Sequence, residues 1–336
     1  MDEKITVIIP VFNGEKYLER TLDSLINQSF GFENIEVIIA DDCSTDNTAN
    51  IMREYSDRYP NIKCFFLKKN YGAAGKGRNV GLENASADYI MFLDSDDEFA
   101  PDMCEVMYSA ITREDVDFVM CRYDMYIDGE FADHNKSFLE ERDDMTRIDS
   151  LSDNRDMIST CSNMVVWNKI YKKELFKANG MKFVDDRYNE DYLFENEVYL
   201  TAKNFVSLNH FYGHRYHILS DSASNAGSAK FFADGIFVLD RVEELFEKKG
   251  FSHHEVVNEY VVIMTQGLLK SDMENSEKKD FFRRMKPYYR KYGLSYRLIN
   301  NVSLPFNMAI NIAIKLFSVS ASFASVASRI FKMISR

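Results

Sequence analysis

Four short polar clusters carry residue types suited to chemistry on a charged, oxygen-rich ligand. Asp94 and Asp96 lie two apart, with Ser95 between them, directly after the β-type run Tyr89 to Leu93. At a strand end both carboxylates can reach one ligand across the turn, and such oxygen donors suit Mg²⁺ or Mn²⁺ held jointly with substrate phosphates. Asp is also a common turn former, so an ordinary acidic surface turn accounts for the same residues. The segment Asn70, Tyr71, Gly72 through Arg78 and Asn79 is a small-residue loop running into a helix, a natural anion site. It is no Walker loop, because Arg78 and Asn79 stand where Lys and Ser or Thr are required. Nor is it a dinucleotide fingerprint, because its order is G-x-x-G-x-G and it follows the third strand. A tight turn explains the glycines but not Arg78. Glu190 and Asp191 follow Asn189 and open an apolar-faced helix. They read either as first-turn acids complementing the helix dipole behind an Asn cap, or as a general base with a companion.

The elements that must position these clusters follow from hydrophobic periodicity. Short β-type runs at Ile5 to Val11, Ile35 to Ala40, Ile62 to Leu67, Tyr89 to Leu93 and Phe118 to Cys121 alternate with amphipathic helices. The first of these helices, Glu15 to Gln28, places Tyr17, Leu18, Leu22, Leu25 and Ile26 on one face. This order predicts a mainly parallel α/β sheet flanked by helices, whose ligands sit beyond the carboxyl ends of the strands. Pro10 to Asn13, Asp41 to Asp46, Lys68 to Asn79 and Asp94 to Asp97 then share one edge. Asp124 to Asp156 is irregular and polar, read as hairpins and loops above that edge. Beyond it come Met164 to Tyr171, a short helix over Lys172 to Asn179, a longer helix from near Asn189 and a β-type pair near Phe205 and Tyr212. The loop Ser222 to Ser228 precedes helical patterns at Ala229 to Lys249, His254 to Asp272 and Glu277 to Tyr292.

Composition narrows the class. With 336 residues, 46% hydrophobic and only 5 Pro and 14 Gly, the chain is globular rather than disordered or low-complexity. The net charge of -12 opposes nucleic-acid binding, yet it is unevenly spread. The first 280 residues carry -22, while Phe281 to Arg336 carry +10 without a single Asp or Glu. From Asn307 the polar residues Asn311, Lys315, Ser318, Ser322, Ser325, Arg329, Lys332 and Arg336 recur at helical spacing, which predicts an amphipathic helix after Pro305. Lys315 interrupts it too early for a membrane span, so an anionic membrane surface is the expected partner of residues 281–336. A helix docked on protein is the competing reading. Five cysteines form no CxxC pair and the first residues lack a signal peptide, which predicts a cytoplasmic chain, peripheral at the inner face of the membrane.

Taken together, IIPVFNGEKYLERTLDSLINQS, VIIADDCSTDNT, NYGAAGKGRNVGL, YIMFLDSDD, WNKIYKKELF and NEDYLFENEVYL resemble the inverting, nucleotide-sugar-dependent glycosyltransferases of family 2, of the bacterial and archaeal envelope-polysaccharide type. The resemblance spans Ile5 to Asn225. It implies a GT-A fold and, position by position, that Pro10, Phe12 and Asn13 line a nucleotide pocket and that Asp42 faces the base, commonly uracil. It further implies that Asn70, Gly72 and Arg78 border the nucleotide, with Ser95 beside it, and that Asp94 and Asp96 form a DxD motif whose Mn²⁺ or Mg²⁺ grips the diphosphate. Trp167, with Asn168, would lie near the sugar, Asp191 would be the base, and Glu190 would orient the acceptor or the base. Cys43 departs from the pattern, standing where the family commonly has Gly, which puts the local turn geometry in doubt.

The expected organisation is a catalytic domain over residues 1–225, a helical region over 226–300 and a basic amphipathic helix over 301–336. The expected function is sugar transfer from a nucleotide-diphosphate donor, UDP-linked, to a hydroxyl of a glycan or lipid-linked acceptor in envelope or extracellular polysaccharide synthesis. Two alternatives differ in testable ways. A sugar-phosphate nucleotidyltransferase calls for a Gly- and Arg-rich phosphate loop directly after strand one, where this chain has Pro10 to Gly14. A non-catalytic nucleotide-sugar or glycan-binding relative would not need Asp94, Asp96 and Asp191 intact.

Overall fold

The computed structural model describes residues 3–135, 143–149, 164–219, 228–251 and 254–291. The chain divides into two compact units, Met1–Leu219 and Ser220–Arg336. The expected helix over 301–336, most of the loop Ser222 to Ser228, and Cys161 lie outside the described residues.

In the first unit, β1 (Ile5–Val11) and β2 (Ile35–Asp41) are buried along their whole length, as mainly apolar strands are when both sheet faces are covered, with the buried Glu36 of β2 bound to Thr6 and Lys63. With β3 (Ile62–Phe66) and β4 (Tyr89–Phe92) they form a parallel run in the order β3-β2-β1-β4. The helices between them are α1 (Leu18–Ile26), α2 (Thr48–Arg58) and α3 (Gly75–Asn84). After the two-residue β5 (Glu98–Phe99) and α4 (Met103–Glu114), the sheet becomes mixed. β9 (Lys169–Lys172) enters antiparallel between β4 and β6 (Phe118–Ile127), and β10 (Asn204–Ile218) pairs parallel to β6. β7 (Glu130–His134) folds back on β6, and β8 (Met145–Asp149) lies antiparallel to β10.

One sheet face is covered by α1 and α4, with Leu18, Leu22, Leu25, Met103, Met107 and Ile111 packed on Val7, Ile9, Val37, Ile39 and Val119. The other face carries α5 (Lys173–Asn179) and α6 (Glu190–Thr201) over an aromatic cluster. There Phe183 stacks on Phe194 at 3.8 Å, Phe92 meets both edge-on, and Tyr199 sits edge-on to Phe118. Beneath α6 lies a wholly buried ion pair, Lys169 Nζ to Glu195 Oε2 at 3.1 Å, with the Tyr171 hydroxyl donating to Glu195 Oε1 at 2.6 Å.

Some elements depart from the sequence pattern. The β-type pair near Phe205 and Tyr212 is one 15-residue strand, β10, with register shifts around Tyr212 that disguise its period. β6 runs six residues beyond Cys121, because its polar outer half pairs with β7 and β10 rather than with the core. Asn189 does not cap α6 through its side chain; it adopts φ 62°, a left-handed conformation that Asn tolerates. Cys43 likewise sits at φ 66°, so the turn is kept with a side chain where glycine is the unstrained choice.

The second unit packs α7 (Ala229–Lys249), α8 (His254–Lys270) and α9 (Asn275–Lys291). Ser228 caps α7 by accepting from Phe231 N, Phe232 meets Phe281 edge-on at 5.1 Å, and Thr265 and Tyr289 share a buried hydrogen bond of 2.9 Å. None of the helices among the described residues is long and apolar enough to cross a membrane.

Candidate active site

The strand ends carry the predicted clusters to one edge, and hydrogen bonds lock neighbouring loops together. Asn13, at φ 52°, accepts from Thr45 N at 2.8 Å, while its own N–H donates to Ser44 Oγ at 2.8 Å. This holds the loop after β1 against the loop after β2 and leaves Phe12 half exposed between them. Pro10 backs the same corner, touching α3 so closely that a Cβ on Gly77 would sit 2.9 Å from it. Asp42 accepts from the backbone N–H groups of Tyr71 and Gly72 at 2.9 and 3.0 Å. Its carboxylate thus fixes the loop that begins at Asn70, and burial raises its pKa.

At the end of β4, helix α1 holds the acidic turn. The Thr21 hydroxyl lies 2.9 Å from the Ser95 carbonyl and 2.8 Å from that of Asp97, and Arg20 Nη2 donates to the Asp96 carbonyl at 2.5 Å. Gln28 continues the clamp by donating to the Ala100 carbonyl at 2.7 Å. These positioning residues were missed from the sequence, although Thr21 within α1 and Gln28 just beyond it, polar residues seven apart in line with the apolar side of the helix, are the pattern that could have revealed them.

Arg78 is almost wholly buried and bridges two clusters. Nη2 reaches Asp94 Oδ1 at 2.7 Å and Nη1 reaches Glu190 Oε1 at 2.6 Å. Both arms of the guanidinium thus bind carboxylates of the chain itself. α3 and the segment before α6 also meet through backbone, since a Cβ on Gly75 would fall 2.0 Å from the Val184 carbonyl. Asn79 completes the seam, donating to the Phe183 carbonyl and accepting from Phe183 N. Burial raises the Glu190 carboxyl to about 8 against the lowering effect of Arg78, and raises Asp191 in the same way, with the charge of Asp94 adding to it.

Asp96 is pushed up to about 7, first by burial and then by the charges of Asp97 and Asp94. Crowded carboxylates of this kind are relieved by a divalent cation, so the residues present fit the ion the sequence implies. Among the described residues no group of three or more His, Cys, Asp or Glu is arranged as a self-sufficient metal cage.

Asp97, the last residue of the acidic cluster after β4, anchors β10 behind this turn. Its Oδ2 lies 2.9 Å from His214 Nε2, and its Oδ1 accepts from His217 N at 2.8 Å. Burial holds His214 down to about 3, hence neutral. Trp167 stacks on the His214 ring at 4.1 Å and on Tyr216 at 5.5 Å, with Tyr123 edge-on at 4.7 Å. Trp167 is therefore a nearly buried part of an aromatic wall. His214 lies more than a hundred residues from Asp97, so no local pattern could have announced the pair.

A mixed α/β sheet whose acidic strand end is joined through one arginine to a carboxylate pair at a helix start defines a site for a charged, oxygen-rich ligand. The chain belongs to glycosyl transferase family 2, whose family model matches residues 6–179, just over half of its length. It is 27% identical over 308 residues to the glycosyltransferase GlyA of Streptococcus pneumoniae, covering 90% of this chain and 42% of GlyA. It is 32% identical over 206 residues to the poly(ribitol-phosphate) beta-N-acetylglucosaminyltransferase TarS of Staphylococcus aureus, covering 61% of this chain and 34% of TarS. The chain thus spans less than half the length of either relative. The crystal structure of TarS residues 1–349 in complex with UDP-GlcNAc superposes with a TM-score of 0.58 at 22% identity, covering 98% of this chain and 90% of that one. A mannosyltransferase from Pyrobaculum calidifontis, in complex with GDP-Man and Mn²⁺, gives 0.55 at 13% identity, covering 99% and 88%. The fold is therefore GT-A.

Proposed function

We propose that this protein is a metal-dependent inverting glycosyltransferase that moves a hexosyl or N-acetylhexosaminyl group from a UDP-sugar to a hydroxyl of a glycan or lipid-linked acceptor. The observation that carries the reading is the double contact of Arg78, which ties the turn of Asp94 and Asp96 to the carboxylates at the start of α6. A donor site and a base held at a fixed separation are what a direct displacement requires.

Phe12, Asn13 and Asp42, with the loop from Asn70 to Gly72, bind the nucleoside, and Trp167 contributes a wall on the sugar side. Asp94 and Asp96 would hold Mn²⁺ or Mg²⁺, which would supply positive charge against the departing diphosphate. Asp191 takes the proton from the acceptor hydroxyl. The new C–O bond forms on the face of the anomeric carbon opposite the diphosphate as the old C–O bond breaks, so configuration inverts. Glu190, gripped by Arg78, keeps Asp191 in place.

The proposed organisation is a catalytic domain over residues 1–225, a helical region over 226–300 and a basic helix over 301–336. The cationic residues Arg283, Arg284, Arg290 and Lys291 are exposed on α9, which supports contact of residues 281–336 with an anionic membrane at its cytoplasmic face. Such contact would place the enzyme beside membrane-linked glycan acceptors. Co-sedimentation with anionic vesicles that survives removal of residues 304–336 would overturn the role of the terminal helix.

The experiment for the activity is a panel of nucleotide sugars scored by thermal shift and by donor hydrolysis, with and without Mn²⁺. A UDP-sugar should raise Tm and be slowly hydrolysed only with the metal present. No shift and no hydrolysis with any donor would refute the reading.

A further inference from the structure

A second group of side chains projects from the same sheet edge and takes no part in the donor site. β4 and β6 both pair antiparallel with β9, so they run parallel to each other, and β10 runs parallel to β6. The C-terminal ends of β6 and β10, with β7 folded back on β6, therefore extend past the edge that bears Asp94 and Asp96. Strand alternation puts Met120, Arg122, Asp124 and Tyr126 on one face of β6. The Tyr199 hydroxyl of α6 lies 3.6 Å from the Met120 sulfur, so this is the face over which the helix bearing Asp191 lies.

On that face a strip of rings begins at Asp97 and runs outward. His217, whose N–H donates to Asp97, stacks on Tyr126 at 5.1 Å and 26°. Tyr126 meets Phe131 edge-on at 5.9 Å, Phe131 lies 4.9 Å from His134, and His134 lies 4.5 Å from Tyr212, which Arg122 approaches at 5.8 Å. Two imidazole–carboxylate pairs flank the strip, His134 with Asp124 at 2.6 Å and His217 with Glu98 at 2.7 Å. Phe131 is 50% exposed.

The exposed Phe131 and His134 rings, with the partly exposed Tyr126 and Tyr212 beside them and the His134–Asp124 pair at their border, suit one ligand chemistry. The rings cover the C–H face of a pyranose while the polar pairs take its hydroxyls. Asp124, Asp128, Glu130 and Asp133 make the hairpin acidic, which disfavours a polyphosphate chain or an anionic membrane there. We propose that this strip is an acceptor subsite that stacks neutral pyranose rings of the acceptor glycan, one or more residues away from the hydroxyl presented to Asp191. The proposal rests on the glycosyltransferase reading and deepens it.

The test is saturation-transfer NMR on the full chain with UDP-GlcNAc and Mn²⁺, using cellotetraose and chitotetraose as probes. Wild type should transfer saturation most strongly to the axial ring hydrogens of at least one oligosaccharide. Phe131→Ala and Tyr126→Ala should reduce that transfer at least fivefold, Tyr126→Phe should keep it, and all three should leave the UDP-GlcNAc signal unchanged. If neither oligosaccharide receives saturation while UDP-GlcNAc does, or if the alanine variants match wild type, the subsite is overturned and the donor reading stands. If UDP-GlcNAc and every other donor in the panel fail too, the fault lies with the glycosyltransferase reading. Light scattering completes the test: a wild-type dimer that Phe131→Ala turns into a monomer would assign the strip to self-association and overturn the proposal.

Discussion

Arg78 Nη1 stands 2.6 Å from Glu190 Oε1, inside the protein and across more than a hundred residues of sequence. The other arm of the same guanidinium holds Asp94 at 2.7 Å. A planar fork can serve two carboxylates at once, whereas an ammonium is a single point charge. Arg78→Lys should therefore lose at least about 10²-fold in transfer, the scale of a misplaced acid–base group. Its kcat should begin to fall at a higher pH than that of wild type, because Arg78 is the chief influence lowering the Asp191 pKa. A pH–rate profile that overlays wild type would rule this out.

Asp191→Asn should keep nucleotide-sugar affinity in calorimetry and lose about 10² to 10⁴-fold in transfer. The pH sign follows from its raised pKa: the base works deprotonated, so activity rises with pH, and the acidic limb lies above the usual 3.8 of an Asp. A limb centred below pH 4 would contradict the assignment.

Asp96→Ala should abolish metal-dependent nucleotide binding, and Mn²⁺ dependence that survives the change would reassign the ligand. In wild type the carboxyl holds its proton to about pH 7, so Mn²⁺ affinity should weaken as pH falls below that point. Stability of the metal-free chain runs the other way. The folded state holds this proton more tightly than the unfolded state, so stability is full below about pH 4 and declines as pH rises to about 7. Thermal melts in chelator across that window check the sign.

The Lys169–Glu195 pair has no exposure to water. Removing one partner leaves a buried, uncompensated charge, so Lys169→Met or Glu195→Leu should each cost about 3 to 5 kcal/mol. The double change should cost less than either single one, as a denaturant double-mutant cycle can measure.

Cys43→Gly should stabilise the chain by about 0.5 kcal/mol. Relief of a left-handed side chain, about 1 to 2 kcal/mol, exceeds the extra chain entropy of glycine, about 0.5 to 1 kcal/mol. A lower denaturation midpoint in the variant would show that Cys43 makes contacts worth more than its strain.

The parallel half of the fold was legible because β1, β2 and β4 are mainly apolar runs and β3 a short β-type run, alternating with helices. β9 was not, since Lys169 and Lys172 make a four-residue strand look polar, and the burial of Lys169 depends on Glu195, which only the fold brings near. Within the site, spacing brought Asp94 and Asp96 forward as a pair. The bridging role of Arg78 was hidden, because both of its partners are distant in sequence and both are also plausible surface acids. The anchoring role of Asp97 and the Thr21 clamp were hidden for a related reason: each acts through backbone or through a residue on another strand.

The contact at Gly75 bears on how this protein can be remodelled. Because the start of α3 meets the Val184 carbonyl with no room even for a methyl group, the segment before Asp191 and the loop that leads into α3 are complementary surfaces of one joint. Chimeras that exchange the acceptor-side half with a relative should be cut so that residues 70–79 and 180–191 come from the same parent. A splice between them would pair mismatched halves of that joint and displace the carboxylates on both sides of it.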